Sequence, residues 1–201
     1  MKVLMINGSP NEKGCTYTAL AEVAKALGAE GVESEIVWLG RGPVWDCTGC
    51  GGCRKIGKCV YDDDGLSTLL EKCAAADGFI FGSPVYYSHP SGRLLSVLDR
   101  LFFSGSRHFR GKPGAAVVSA RRAGTTASLD VINKHFTINQ MPVVTSSYWN
   151  MVHGRCAEDV LQDEEGLQTM RNLGRNMAAM LKGEALPAGN NEYGAWTCFV
   201  R

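Results

Sequence analysis

Residues 2–16 read KVLMINGSPNEKGCT, and this stretch decides the fold. The run at 2–6 is short, largely apolar and partly β-branched, which predicts a buried strand. The two asparagines, the proline and the two glycines at 7–14 predict a turn, and residues 16–27 are rich in alanine and leucine at helical spacing. A strand, a glycine-bearing turn and a helix in that order are typical of the first unit of a parallel α/β sheet.

The same alternation continues through the chain. Further strands are predicted at 34–39, 78–81, 114–119 and 143–145, and further helices at 64–76, 94–103, 128–136 and 161–181. This alternation predicts an α/β fold with a parallel sheet that helices cover on both faces. The sequence contains no internal repeat. We therefore expect a single domain over 1–201, with a cysteine-rich insertion loop at 40–62 and a C-terminal tail at 187–201.

The composition excludes several classes of protein. The chain has 201 residues, of which 45% are hydrophobic and 20% charged, so it can bury a core and is not a disordered chain. Its 21 Lys and Arg residues are balanced by 20 Asp and Glu residues, so we expect no nucleic-acid partner. No apolar run reaches the roughly 18 residues that a membrane span needs, and the first strand is too short for a secretory signal. We expect a cytoplasmic protein with no membrane partner.

The loop at 7–16 has the features of an anion-binding site. Its glycines expose backbone amide groups, the helix start adds a positive dipole, and Ser9 and Thr16 can each add a hydroxyl group. The loop has no Gly-x-Gly-x-x-Gly pattern, and Cys15 stands where a Walker motif needs lysine. A loop without that lysine suits a phosphate monoester better than a triphosphate. The alternative is an ordinary turn capped by Ser9 or Thr16.

Two further loops are expected at the same edge of the sheet, because the carboxyl ends of parallel strands meet there. Loop 82–90 contains two prolines and the adjacent Tyr86 and Tyr87, which could cover a flat ligand. After the fourth strand, Arg121 and Arg122 could approach an electron-rich ring edge. Taken alone, each pair has an ordinary explanation, packing for the tyrosines and a solvated face for the arginines. With the phosphate loop they predict a ligand with a phosphate tail and a flat ring, which riboflavin phosphate (FMN) fits.

Four of the eight cysteines lie between Cys47 and Cys59. Cys47, Cys50 and Cys53 are separated by two residues each and Cys59 follows after five, a spacing with which one loop can wrap an iron–sulfur cube. Glycines in the same loop supply the backbone angles that such wrapping needs. Zinc is a second alternative, although structural zinc sites usually separate their two pairs by roughly a dozen residues. A redox-reactive thiol cluster without metal is the third.

Several of these motifs resemble one protein family. NGSP at 7–10 with Gly14-x-Thr16, GSPVY at 82–86 and LDR at 98–100 resemble the flavodoxin-like NADPH-dependent FMN reductases. The four cysteines followed by three aspartates at 62–64 resemble the iron–sulfur flavoprotein branch of that family. The resemblance implies a flavodoxin-like, doubly wound sheet of five parallel strands, bound FMN, a 4Fe-4S cluster and assembly as a homodimer or homotetramer.

The resemblance also implies a set of site residues. The first loop would hold the phosphate, the loop after the third strand would line the isoalloxazine, and the loop after the fourth strand would meet its polar edge. In that order the residues are Ser9, Asn11, Cys15, Thr16 and Tyr17; Pro84, Val85, Tyr86 and Tyr87; and Ser119, Arg122 and Gly124. The cluster ligands would be Cys47, Cys50, Cys53 and Cys59. No catalytic side chain is expected, because the flavin carries the redox chemistry.

These expectations favour an FMN-dependent oxidoreductase of the NAD(P)H-dependent FMN or quinone reductase type, or an iron–sulfur flavoprotein. It would take electrons from a reduced nicotinamide or a ferredoxin-like donor and pass them through FMN to a small-molecule or protein acceptor. The alternative is a non-enzymatic electron carrier, like a flavodoxin with an added cluster. The apolar helix at 94–103 and the aromatic tail at 193–200 favour a homo-oligomer; alternatively, the tail folds back on its own subunit.

Overall fold

The computed structural model describes residues 1–187 and 191–199. The strands are β1 Lys2–Asn7, β2 Glu33–Trp38, β3 Gly78–Tyr86, β4 His89–Pro90, β5 Gly114–Ala120 and β6 Met151–His153. Five of them are parallel in the order β2-β1-β3-β5-β6, and the short β4 pairs antiparallel with the end of β3. Counting the parallel strands alone, the order is 2-1-3-4-5, which is the flavodoxin-like arrangement. The predicted fold class is confirmed.

Helices cover both faces of the sheet. They are α1 Cys15–Ala29, α2 Cys53–Ile56, α3 Leu66–Ala75, α4 Gly92–Gly105, the 3-10 turn Ser106–His108, α5 Thr125–Ile138, α6 Ala157–Val160 and α7 Glu164–Lys182. Along β1, Val3 and Met5 pack under α1 and α7, while Leu4 and Ile6 pack under α3, α4 and α5. Burial on both faces explains why β1, the first half of β3 and β5 are nearly continuous apolar runs, whereas the edge strand β2 is only half-buried. Within the described ranges, no helix is long and apolar enough to cross a membrane.

The direction of strand order reverses at β1. β2 lies on one side of this strand and β3 on the other, so the crevice where doubly wound folds bind ligands opens at the carboxyl ends of β1 and β3. There, the Gly8 amide donates to the Gly82 carbonyl at 2.9 Å. A Cβ atom on Gly82 would lie 2.9 Å from the Thr16 methyl group. The glycine therefore lets α1 begin directly against the end of β3.

Residues 82–90, predicted as a loop, form a continuation of β3 and a hairpin. Val85 pairs with Pro90 and Tyr86 with His89, so Tyr87 and Ser88 form the tip. Both tip residues have positive φ, 50° and 61°. Non-glycine residues adopt such angles infrequently, and a two-residue hairpin turn with positive φ at both positions is the one that matches strand twist. The two-proline loop is thus a fixed hairpin at the ligand edge of the sheet.

The prediction of a fifth strand at 143–145 is wrong. The fifth parallel strand is β6, whose residues pair with Val118–Ala120 of β5. Of the predicted segment, Val143 makes an isolated parallel bridge with Gly114 at the opposite end of β5. The chain then leaves the sheet and returns at Met151. The β-branched residues at 143–145 have strand propensity. Continuous pairing with β5 nevertheless forms at Met151–His153, because the surroundings of a segment in the fold outweigh its strand propensity.

Helix α4 and the described part of the tail, whose apolar residues favoured a homo-oligomer, pack largely within the chain itself. In α4, the apolar residues Leu94, Val97, Leu98 and Leu101 are buried in the core, whereas Phe103 is 65% exposed. Residues 191–199 of the tail run along α7, where Glu192 bridges to Arg171 and Arg175. This is the alternative in which the tail folds back. Trp196 nevertheless remains 83% exposed; residues 188–190, 200 and 201 of the predicted tail lie outside the described residues.

Candidate functional site

A cavity of about 670 Å³ opens at the carboxyl ends of the parallel strands. It is formed by the loop after β1 with the start of α1, by the β3–β4 hairpin, by the end of β5 and by the loop after β6. Most of the residues that the resemblance implied line its wall: Ser9, Asn11, Cys15, Thr16, Pro84, Val85, Tyr86 and Ser119. The structure therefore brings the three sequence loops together at one site.

Four residues of the expected set do not line this cavity. The Tyr17 ring lies beneath the Lys13 ammonium group, whose nitrogen is 3.8 Å from the ring centroid. Tyr87 is fully exposed at the hairpin tip, and Arg122 is also exposed. Gly124 precedes α5 with φ of 92°, and a Cβ atom there would lie 2.7 Å from the Cα of Ser88. Gly124 thus allows the loop after β5 to contact the hairpin.

The cavity also contains residues that the sequence reasoning missed. Arg41 is one of them and follows β2, whereas Arg121, which the sequence analysis named together with Arg122, also lines the cavity. Residues 154–158, which include Arg155, follow β6. Together with Lys13, these arginines place several cations around the cavity, with Glu12 and Glu158 as the acidic residues of the wall. The position of each after a parallel strand was the available signal, but the residues form no motif.

The shape of the phosphate-type loop is set by its own side chains. Asn7 is fully buried; its Oδ1 accepts a hydrogen bond from the Ser9 amide at 3.1 Å, and its Nδ2 donates to the Glu12 carbonyl at 3.0 Å. The Ser9 hydroxyl oxygen accepts from the Asn11 amide, also at 3.1 Å. These bonds fix the loop without any ligand. A loop that is ordered in advance binds an anion with a smaller loss of conformational entropy.

The first turn of α1 faces the cavity with polar groups. Gly14 at the N-cap has no side chain to cap the helix, so the first amide groups of α1 stay available to an anion. Thr16 and Ser119 have their hydroxyl oxygens 2.9 Å apart. The Cys15 thiol donates to the Gly154 carbonyl at 3.5 Å, and burial raises the pKa of this thiol. Cys15 is therefore a neutral donor in this wall.

Three side chains support the loop from behind. The Trp38 indole donates to the Ser9 carbonyl at 2.7 Å, and Arg41 Nε donates to the Pro10 carbonyl at 2.8 Å. The Ser91 hydroxyl, at the N-cap of α4, donates to the Gly8 carbonyl at 2.8 Å. Three consecutive carbonyl groups of the loop are thus satisfied without a ligand. The backbone amide groups that stay available to an anion are those in the first turn of α1.

The cysteine-rich segment forms a second, smaller cavity. Cys47, Cys50, Cys53 and Cys59 all line a space of about 170 Å³, together with Arg100 and Phe103 of α4. Cys50 is exposed and the other three thiols are half-buried. Gly49, Gly51 and Gly57 have φ between 66° and 73°, which is the left-handed region that the sequence reasoning expected of these glycines. In the part of the chain that the structure describes, no three His, Cys, Asp or Glu side chains converge on a position for a single metal ion.

Asp64 ends this segment and forms a buried ion pair with Arg100. Burial alone would raise the pKa of Asp64, but hydrogen bonds from Arg100 and from the Trp45 amide outweigh it, and the pKa lies below its ordinary value. Its neighbour Asp62 accepts from the Ser67 amide at 2.6 Å, as expected of a side chain that caps a helix start. These two carboxylates therefore have structural partners.

The fold and the two cavities define a flavodoxin-like protein with a hydrogen-bonded loop after β1 and a cysteine-rich insertion. The family model of the NADPH-dependent FMN reductases matches residues 1–155, and the chain belongs to this family. The resemblance that the sequence motifs indicated is confirmed, including the iron–sulfur flavoprotein branch.

Individual relatives agree with this assignment. The chain is 35% identical to an iron-sulfur flavoprotein of Methanocaldococcus jannaschii over 195 residues, which is 90% of this chain and 98% of the relative. It is 32% identical to an iron-sulfur flavoprotein of Methanosarcina thermophila, over 90% of this chain and 96% of that one. Among solved structures, a flavodoxin from the domain Archaea superposes with a TM-score of 0.62 at 15% identity, over 90% of this chain and 99% of that chain. This last likeness shows the fold.

Proposed function

We propose that this protein is an FMN-dependent oxidoreductase that carries a 4Fe-4S cluster on Cys47, Cys50, Cys53 and Cys59. The observation that carries the proposal is the cavity in which a preformed anion loop, a tyrosine hairpin and Ser119 meet at one edge of a flavodoxin-like sheet. Family membership supports the class of reaction, since the family is one of flavin reductases.

The residues of the larger cavity fit FMN. The amide groups at the start of α1, with Ser9, Asn11, Cys15 and Thr16, would hold the phosphate; Pro84, Val85 and Tyr86 would line the ring; Ser119 would meet its polar edge. Tyr17, Tyr87, Arg122 and Gly124 belong to the same three loops but do not line the cavity, so any contact they make with FMN would come from outside this wall. When bound, FMN supplies the uptake and release of electrons. The protein's part is to orient the ring, to place cations near it and to cover it from water. No side chain is needed as nucleophile or general base.

The residues of the smaller cavity fit an iron–sulfur cluster better than a zinc ion. Four thiolates that bind a cubane each contact a different iron atom, so their sulfur atoms surround a cluster and need not converge on one point. Zinc requires four ligands around a single ion. The four thiols line one cavity, and their spacing of two, two and five residues suits one loop around a cluster better than the well-separated pairs of a structural zinc site. A bound cluster would transfer one electron at a time. A flavin that exchanges electrons with it could therefore serve one-electron partners.

We further propose that the electron donor is a reduced nicotinamide or a ferredoxin-like protein and that the acceptor is a small molecule or a protein. We propose a single FMN-binding domain that acts in the cytoplasm as a homodimer or homotetramer. An anaerobic absorption spectrum of the purified protein tests both cofactors at once, and heat-released ligand should be FMN. Recovery of FAD or of no flavin contradicts the proposal. Steady-state turnover of NADPH or NADH with quinones or dyes supports the enzyme, whereas reduction by protein donors alone supports a carrier.

Removal of one ligand tests the cluster. After anaerobic reconstitution with iron and sulfide, we expect about four irons per chain in the wild type and a clear loss in Cys50→Ala. Cys198→Ala is the matched control, because Cys198 is an exposed cysteine that lines neither of the two cavities, and its iron content should equal that of the wild type. Zinc in the anaerobically purified protein, or no iron uptake, contradicts this part of the proposal.

A further inference from the structure

Arg100 is a charged side chain buried in the interior. It lies on α4, is 1% exposed and is the largest of the fully buried side chains in the described residues. A cation in such a position is costly unless its hydrogen bonds are satisfied. The hydrogen-bond partners of the guanidinium group therefore fix its position, and the identity of these partners indicates its role.

The protein partners of this guanidinium all belong to the cysteine-rich segment and its end. Both terminal nitrogens bind Asp64, one at 3.1 Å, and they also donate to the carbonyl groups of Trp45, at 3.3 Å, and Tyr61. The remaining donor, Nε, is 3.4 Å from the Sγ atom of Cys59. Arg100 thus connects the two ends of the segment, whose Trp45 and Tyr61 rings also stack at 5.0 Å.

The contact with Cys59 has no counterpart at the other three thiols. Cys53 donates to the Phe103 carbonyl at 3.7 Å, which is a bond that only the protonated thiol can make. In the described part of the chain, none of Cys47, Cys50 and Cys53 accepts a hydrogen bond from a charged side chain. Asp64 already balances the charge of Arg100, so the ion pair alone does not account for an Nε–H group directed at sulfur.

We propose that Arg100 is a positioning residue for the iron–sulfur cluster: its Nε–H group holds Cys59 in the orientation of a ligand and raises the reduction potential of the cluster. The inference rests on the proposed function. Hydrogen bonds to ligating sulfur orient the ligand and tune the metal centre. A permanently charged donor stabilises the more negatively charged, reduced state, and a guanidinium cannot lose this charge by deprotonation.

The test compares variants that separate charge from geometry. Arg100→Lys keeps a cation near Asp64 but loses the planar fork that reaches Cys59 and Asp64 together. Arg100→Gln removes the charge as well. Arg107→Gln is the matched control, because Arg107 donates to the Gly57 carbonyl of the same segment at 3.2 Å and to no sulfur atom. All proteins are reconstituted anaerobically as full chains with FMN bound.

The measurements are the midpoint potential of the cluster, followed by EPR, and the rate of iron release to a chelator. At a fixed ambient potential we expect the reduced-to-oxidised ratio in both Arg100 variants to fall at least tenfold, which is about 59 mV for a one-electron couple. We expect a roughly tenfold or greater loss of cluster affinity in Arg100→Gln. Arg107→Gln should behave as the wild type, and the FMN potential should be unchanged in all variants.

The outcomes separate this inference from the proposed function. A wild type that takes up no iron overturns both. A wild type with a cluster whose potential and stability are unchanged in the Arg100 variants overturns the inference alone. Should the variants fail to fold, the wild type decides: with 15N-labelled arginine, pulsed EPR of the reduced cluster should detect a nitrogen coupling that Arg107→Gln retains. Absence of that coupling overturns the inference.

Discussion

The hydroxyl oxygens of Thr16 and Ser119 lie 2.9 Å apart and join the first turn of α1 to the end of β5 in the wall of the larger cavity. Thr16→Val removes a donor at this point and leaves an acceptor without a partner. We expect FMN to bind more weakly by about 1–2 kcal/mol. Fluorescence titration of the apoprotein with FMN measures the change. Thr18→Val is the control, because Thr18 lies on the same helix but does not line the cavity, and its hydroxyl donates to the Gly14 carbonyl; equal losses in both variants would contradict the assignment.

Neutralising the arginines after β5 should make the FMN potential more negative. Arg121 lines the cavity and Arg122 is its exposed neighbour, so the double change to glutamine removes positive charge near the reduced ring. We expect an effect of about 1 kcal/mol per close charge, since both groups are exposed to water. Dye-linked potentiometric titration measures it. Arg110→Gln, at the opposite end of β5, should leave the potential unchanged, and an unchanged potential in the double variant would refute the role of these arginines.

The Asp64–Arg100 pair should make the protein sensitive to acid. Because the pKa of Asp64 is lower in the folded chain than its ordinary value, the unfolded chain takes up a proton first as the pH falls. The pair's stabilisation is complete above the unfolded value of about 3.9 and is lost as the pH falls through the folded value. Asp64→Asn leaves the buried guanidinium uncompensated, so we expect a loss of about 3–5 kcal/mol at pH 7 and a shallower acid dependence.

Urea unfolding followed by circular dichroism between pH 3 and pH 7 checks the Asp64 prediction. Asp63→Asn is the control on the adjacent, exposed position, and we expect a change within about 0.5 kcal/mol. If Asp64→Asn is as stable as this control, the buried pair does not contribute as described.

Exposed aromatic side chains should support self-association. Trp196 and Phe103 remain exposed although the segments around them pack within the chain. We expect light scattering at micromolar concentration to give a particle of at least twice the 21.7 kDa chain. The double change Trp196→Ser and Phe103→Ser should lower that mass, whereas Ile138→Ser, another exposed apolar position, should not. A 21.7 kDa particle for the wild type would rule out the homo-oligomer.

The positions of the first four parallel strands and of the long helices along the chain could be predicted from patterns that lie close together in the sequence, whereas the flavodoxin-like arrangement of the sheet was implied by the family resemblance. The fifth strand could not be predicted in this way. Val143 bridges to Gly114 at one end of β5 and Met151 pairs with Val118 near the other end, and only the second pairing continues as a strand. The hairpin tip was also beyond prediction. Tyr87 and Ser88 adopt positive φ, but neither is a glycine or asparagine, the residues that usually indicate such a turn.

The residues of the candidate site also divide into those that the sequence indicates and those that only the folded chain brings together. Ser9, Thr16 and Tyr86 could be predicted because each follows a strand in a loop with a recognisable composition. Arg41 and Arg155 also follow strands but belong to no pattern, so their place in the cavity is visible only in the folded chain. The contact of Arg100 with Cys59 spans 41 residues, and nothing local in α4 indicates it.

The cysteine-rich segment contributes little to the core of the domain. Of residues 40–62, Val44 and Cys59 are those that pack against a core cluster, and both do so while half-buried. The apolar core of the sheet therefore depends little on this segment, although Arg41 of the segment supports the loop of the larger cavity through the Pro10 carbonyl. If the proposed cluster is bound, a polypeptide made in an iron-starved cell would keep the apolar core of its sheet, and its capacity for one-electron exchange would follow iron supply.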